Sequence, residues 1–348
     1  MKFKMVLVAL KRTCPDFQTS CHRYRRYNDH HFHYGYIMYA CAFLGRQNST
    51  FVDEYGTHVD SLMYDVAHGA NTNSDVRGGA FFPFTRHKSW FDGHSFASGL
   101  FPFGNGKSQE SSSEAVNCYY GAYLWSSIRW KDADGGDKMI NFAKLLLAME
   151  IRGAKTYWHM LSPQDADGMD SIHSKQIYSK SLSKSLMVGN VGMTDALVST
   201  WFGSKSVYVH MINFMPVTAI TKELFTVGYV EEEFNEILKP IYDTVENAWR
   251  GYVISDRALI EPNEAWKDAI KLKSYELDSA LSLSQLYYWI GSMENFNSSV
   301  PTDFDENGSL GVSYEEASCD NHKGCVGLSG GLCCPTLDGT SLDCCDLR

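Results

Sequence analysis

From about residue 29 to residue 295, apolar side chains recur at helical spacing, and glycine-rich or polar segments separate one run from the next. Phe234, Ile237, Leu238, Ile241, Val245 and Trp249 fall on one helical face, with Glu and Asn between them. Residues 141–151 (NFAKLLLAMEI) and 277–289 read the same way. Residues 29–44 and 109–128 are richer in aromatics and long enough for helices. The separators are 69–79, 99–106, 132–136 and 164–171. Strand-like alternation is rare, with 206–211 as one short candidate. Many helices with modest connections specify an all-α domain packed helix on helix.

The helical pattern stops near residue 300, where the composition turns to Asp, Asn, Gly, Ser and Cys. We therefore expect an N-terminal remnant or linker over 1–24, a helical domain over 25–300 and a cysteine-rich tail over 301–348. Six of the ten cysteines lie between Cys319 and Cys345, with vicinal pairs at Cys333-Cys334 and Cys344-Cys345. An even, dense cluster of this kind reads as a disulfide knot made in an oxidising compartment. Zinc is the competing reading, but no ordered pair of C-x-x-C knuckles is present. At the other end, the apolar run 5–10 is too short for a secretory core and lacks a small-residue cleavage site. The start is therefore read either as a wrong start codon or as the edge of a longer protein. Sequons at Asn48, Asn297 and Asn307 fit secretion. With 41 acidic against 31 basic residues, the formal net charge is -10. That balance disfavours nucleic acid and anionic membranes as partners. No apolar run approaches the roughly 18 residues that span a bilayer.

Two acidic constellations carry the chemistry. Glu110 and Glu114 lie four apart at an expected helix start, which would place both on one face. Three serines stand between them, an odd choice for a helix interior because serine competes for backbone hydrogen bonds. Acidic groups in a first turn also suit the helix dipole, which is the plainer explanation. Upstream, in the segment YNDHHFHYG (27–35), Asp29 and His33 are also four apart. Adjacent His30 and His31 point apart on a helix, so no metal site is expected, nor any cofactor. Carboxylates ringed by aromatics suit carbohydrate: glycoside hydrolysis needs a carboxylic acid and a carboxylate across the scissile bond. Asn28, Tyr34, His94, Lys107, Gln109, Tyr119 and Trp125 are the candidate substrate-binding residues, by hydrogen bonds to hydroxyls or by ring contact.

The segments NDHHFHYGY (28–36), GHSFASG (93–99) and GKSQESSSEAVNCYYG (106–121) closely resemble glycoside hydrolase family 81, the endo-β-1,3-glucanases. TWFG (200–203) and YVHMINFMP (208–216) are similar to later blocks of that family. The resemblance covers about residues 25–250 and implies an (α/α)6 barrel that cleaves internal β-1,3-glucosidic bonds with inversion. It implies Asp29 as general acid, Glu110 as general base, and His33 and Glu114 as their supports. Three departures stand out. Family members usually carry an N-terminal β-sandwich, Phe96 stands where the family has Trp, and Ser89 where relatives often have Asp. The implied partner is a laminarin-type glucan, acted on by a monomer in the secretory pathway. Two other readings remain: a non-catalytic glucan-binding protein, and an interaction module whose Asp303-to-Gly308 stretch resembles an EF-hand opening. Position 12 of that loop is Tyr314, so the bidentate glutamate is missing.

Overall fold

The structure, a computed structural model, describes residues 27–69, 81–160 and 177–297. The chain divides into two compact units, Met1–Phe296 and Asn297–Arg348. The tail cysteines and the EF-hand-like stretch lie outside the described residues.

The described residues are mostly helical. Helix α1 (His30–Gln47) is followed by α2 (Ser49–Ala67), whose start is capped by Asn48: its side chain accepts the Phe51 N–H at 3.3 Å. Next among the long helices come α3 (Ser112–Arg129) and α4 (Gly136–Tyr157). Helices α1 and α3 run parallel and touch closely. A Cβ on Gly35 would lie 2.8 Å from the Cα of Cys118, and one on Gly121 would lie 2.9 Å from the Tyr39 nitrogen. Only glycine permits that approach.

Helix α2 runs antiparallel to α3, with Gly56 against Arg129 and Met63 against Ser126. Helix α4 does likewise, with Lys144 over the Tyr123 ring. Two parallel helices are thus each returned by an antiparallel neighbour. The apolar face of α4 (Met139, Ala143, Leu146, Leu147, Ala154) shows the expected helical spacing.

The second half is built from shorter pieces: α5 (Lys180–Ser183), α6 (Ser206–Ile212), α7 (Thr221–Leu224), α8 (Val227–Glu233), α9 (Asn247–Arg257), α10 (Pro262–Ala269) and α11 (Leu283–Gly291). A small antiparallel sheet joins β1 (Ser108–Gln109), β2 (Asn190–Gly192) and β3 (Ala196–Leu197), with Gln109 opposite Val191 and Asn190 opposite Leu197.

Three local expectations are corrected. Residues 206–211 form helix α6, not a strand. The helical run over 234–249 is not one helix: a π turn (Phe234–Leu238) and a 3-10 turn (Lys239–Thr244) precede α9. Pro240 lacks the N–H that a continuing α-helix needs, and Val245 is extended. The run over 277–289 becomes helical only at Leu283, after Ser282 caps the Gln285 N–H. Upstream, the Asp278 carboxylate takes the Ala280 N–H and holds a turn instead.

Candidate active site

Asp29 sits at the mouth of α1 in a left-handed conformation (φ 60°), which costs a non-glycine residue free energy and tends to occur at functional sites. It therefore precedes the helix rather than sharing a face with His33; its carbonyl receives the His33 N–H at 3.0 Å. The Asp29 N–H donates to the Ala97 carbonyl at 2.8 Å, and Asn28 Nδ2 donates to Asp29 Oδ2 at 2.8 Å. Asp29 is 3% exposed.

Behind it, His30 Nδ1 lies 2.7 Å from Asp65 Oδ2, and Arg86 grips both oxygens of Asp65. Burial pushes the Asp65 carboxyl up, but the bonds from His30 and Arg86 outweigh it and bring the pKa down to about 2. A fixed anion thus anchors the first turn of α1.

Ala97 joins this end of α1 to the glutamates. Its N–H donates to the Ser108 carbonyl at 3.0 Å, and Ser108 lies in the strand leading to Glu110. The loop is braced from below. Ser95 donates both its N–H (2.9 Å) and its hydroxyl (2.8 Å) to Glu150 Oε1, while Lys88 Nζ lies 2.9 Å from Glu150 Oε2. The Lys88 and Glu150 side chains are 0% and 1% exposed.

Glu110 is not on the helix, contrary to the equal-face expectation. Strand β1 ends at Gln109, Ser111 is the N-cap, and only Glu114 lies within α3. The Trp201 N–H donates to Glu110 Oε2 at 2.7 Å, a bond that favours the ionised carboxylate. Glu114 keeps part of its surface open, yet its carboxyl is enclosed and receives the Tyr36 hydroxyl at 2.9 Å. Burial raises its pKa to about 7, with Glu110 and Asp29 adding repulsion against bonds from Ser111 and Tyr36. The repulsion identifies Asp29, Glu110 and Glu114 as one electrostatic group, although 81 residues separate the first two.

Aromatic surface stands beside Glu110. Trp201 is 42% exposed with its ring 5.8 Å from Phe103, and Phe202 is stacked on Trp249 at 6.1 Å and 6°. Our reading of the sequence did not single out Trp201, Phe202 or Tyr36. The signal available for Trp201 was its place in the TWFG segment beside a glycine turn.

The other candidates divide by burial. Asn28, His33, Tyr34 and Lys107 are half-buried; the Tyr34 ring lies 4.4 Å from His30, and Lys107 Nζ is bonded to the Gly99 carbonyl. His94, Gln109, Tyr119 and Trp125 are 2%, 0%, 0% and 0% exposed and present no face to a sugar. His94 is wedged against Phe96 and Trp158, where burial lowers its pKa. Gln109 donates to Ser95 Oγ at 3.2 Å. Tyr119 meets His31 at 3.2 Å and lies under Lys88. Trp125 donates to Asp60 at 2.9 Å. These four build the scaffold: Tyr119 and Trp125 lie on the inward face of α3, and His94 and Gln109 are buried in the segments before it.

The sequence matches the model of the glycosyl hydrolase family 81 C-terminal domain over residues 12–316. The chain belongs to glycosyl hydrolase family 81. It is 30% identical over 244 residues to glucan endo-1,3-beta-D-glucosidase 2 of Saccharomyces cerevisiae, covering 68% of this chain and 28% of that protein. It is also 30% identical over 243 residues to the primary septum glucan endo-1,3-beta-D-glucosidase of Schizosaccharomyces pombe, covering 69% and 22%. A solved family 81 glycoside hydrolase from Clostridium thermocellum superposes with a TM-score of 0.60 at 26% identity, over 76% of this chain and 34% of that one. The chain thus spans about a third or less of each of these relatives. The fold is the all-α, (α/α)6-type barrel of family 81, as the resemblance implied.

Proposed function

We propose that this chain is an inverting endo-β-1,3-glucanase acting on laminarin-type glucan. The observation that carries the reading is the convergence of Asp29, Glu110 and Glu114 beside the exposed ring of Trp201. Glu110, whose Oε2 accepts the Trp201 N–H, takes a proton from water as the water attacks the anomeric carbon. Asp29 delivers a proton to the departing glycosidic oxygen from the opposite face. Inversion requires room for that water, so the two carboxyl groups should stand roughly 6.5–9.5 Å apart with substrate bound. Glu114, with a pKa near 7, stays largely protonated in mild acid and so limits the negative charge beside Glu110. His33 supports Asp29 from the first turn of α1. Trp201 offers a flat face to the C–H surface of a glucose ring.

No cofactor enters this scheme. We infer a monomer working in the secretory pathway, a reading supported by the sequons and the cysteine-rich tail. Among the described residues no helix is long and apolar enough to cross a membrane.

The test is laminarin hydrolysis followed by NMR of the first product. The wild type should release the α-anomer. Glu110→Gln should abolish turnover while retaining glucan binding, and Glu114→Gln should retain more activity. A wild type that binds laminarin without cleaving it would make the chain a glucan-binding protein. Retained turnover in Glu110→Gln would transfer the base role to Glu114.

A further inference from the structure

The three serines between Glu110 and Glu114 all reach the same segment, the end of α6 and the residues after it. Ser111 Oγ donates to the Ile212 carbonyl at 2.8 Å. Ser113 Oγ donates to Ile212 at 3.2 Å and is also bonded to the Met215 carbonyl. Ser112 donates twice to one atom: its N–H and its hydroxyl each lie 2.9 Å from Asn213 Oδ1. Asn213 is 0% exposed, and its Nδ2 donates to the Val209 carbonyl at 2.9 Å, which fixes which way the amide points.

The first N–H groups of a helix lack partners within it, and the N-cap side chain ordinarily supplies one. Here Ser111, the N-cap of α3, makes no such bond, because its hydroxyl faces Ile212 instead. The acceptor comes from a different element, 101 residues along the chain. It meets α3 between the two acidic side chains.

We propose that Asn213 is a positioning residue for the glutamate pair. It clamps the first turn of α3 so that Glu110 remains on the Trp201 N–H and Glu114 on the Tyr36 hydroxyl. The proposal rests on the glucanase reading for its kinetic consequence, but not for its structural one. The position requires an amide. Leucine would leave the Ser112 N–H buried without an acceptor, and aspartate would set a carboxylate oxygen against the Val209 carbonyl. Aspartate would also set a negative charge against Ser112, which stands between Glu110 and Glu114 in the chain.

Two variants and two readouts test the clamp. Asn213→Ala should lower kcat on laminarin roughly 10- to 100-fold with KM nearly unchanged, since about an ångström of misplacement is enough for such a loss. Asn213→Asp should move the acidic limb of the kcat/KM profile to higher pH. The second readout needs no activity: carbon-13 NMR of the Glu114 carboxyl should show its titration, near pH 7 in the wild type, move upward in Asn213→Asp. If Asn213→Ala does not fold, Ser112→Ala removes only the hydroxyl half of the clamp and should show the same kcat-specific loss, reduced in size. An inactive wild type would refute the glucanase reading and leave the Glu114 titration to judge the clamp. Wild-type kcat, pH profile and Glu114 titration in the Asn213 variants would overturn the proposal.

Discussion

Among the described residues, burial pushes several acids toward the neutral form, Asp60 included; two groups of them bear comparison, and only one resembles a site. Glu114 has Glu110 and Asp29 as neighbours, and Glu110 in turn accepts the N–H of the exposed Trp201. Glu233 and Asp256 are both 0% exposed, and burial raises each carboxyl well above its ordinary range, with Glu233 adding to the rise at Asp256. His210 shows how one oxygen of Glu233 is paired. Its Nε2 faces the Ser185 carbonyl at 2.9 Å and so carries a hydrogen. Burial lowers the imidazole to about 4, leaving a neutral ring whose Nδ1 accepts a proton-bearing Glu233 carboxyl. A perturbed acid therefore does not mark an active site by itself. Surroundings differ: Glu110 lies beside the exposed Trp201, whereas Glu233 and Asp256 are enclosed.

The largest expected effects bear on this contrast directly. Glu110→Gln should cut laminarin turnover by about 10³-fold or more with little change in melting temperature. Glu233→Gln should leave turnover unchanged, because the enclosed carboxyl is already neutral and an amide can donate to His210 Nδ1 in its place. Loss of turnover in a fully folded Glu233→Gln protein would break the comparison. Asp29→Asn should match Glu110→Gln on laminarin, yet recover in part on an aryl glucoside whose leaving group needs no proton. No recovery would mean that Asp29 does more than supply the proton.

A third buried acid sharpens the contrast further. Burial pushes Glu150 up, but Lys88 and the Ser95 N–H more than offset this, so its carboxyl falls below the usual range. It is ionised where Glu233 and Asp256 are not, because a cation was buried with it. Glu150→Gln leaves the Lys88 ammonium buried alone and should cost about 3–5 kcal/mol in urea unfolding. A loss well under 1 kcal/mol would show that Lys88 readily finds water.

Much of this was legible in the sequence, and the misses have physical causes. Helices α1, α3 and α4 are long, and their periodicity survives tertiary packing. Segment 206–211 misled because Val207, Tyr208 and Val209 favour strands in isolation, while the buried Val207, His210 and Met211 stand at helical spacing. The run at 234–249 kept its apolar face through a π turn, so periodicity could not reveal the break at Pro240. For the site, the acidic residues stood out because carboxylates four apart are conspicuous. Their setting did not: spacing within α3 cannot say that the helix starts at Ser112, nor that Ser112 is capped from residue 213. Tyr119 and Trp125 attracted attention as aromatics near carboxylates, but the face of α3 they occupy is turned inward.

The smallest expected effect concerns Asp256, and it probes the buried pair without dismantling it. A carboxyl whose folded pKa lies above its unfolded value of about 3.9 contributes stability that is fully present below that value. That contribution is lost as pH rises toward the folded pKa. Asp256 is such a group, so from about pH 4 upward the native chain should grow less stable on its account. Asparagine has nearly the same shape and carries no titrating proton. Asp256→Asn should therefore melt higher than the wild type at pH 8. The gap should narrow steadily as the pH falls toward 4. Turnover should not change at any pH, because Asp256 lies outside the group that Glu110 belongs to. Parallel melting curves for the two proteins between pH 4 and 8 would mean that Asp256 is ionised throughout. Burial alone would then not be what keeps the second acidic group silent.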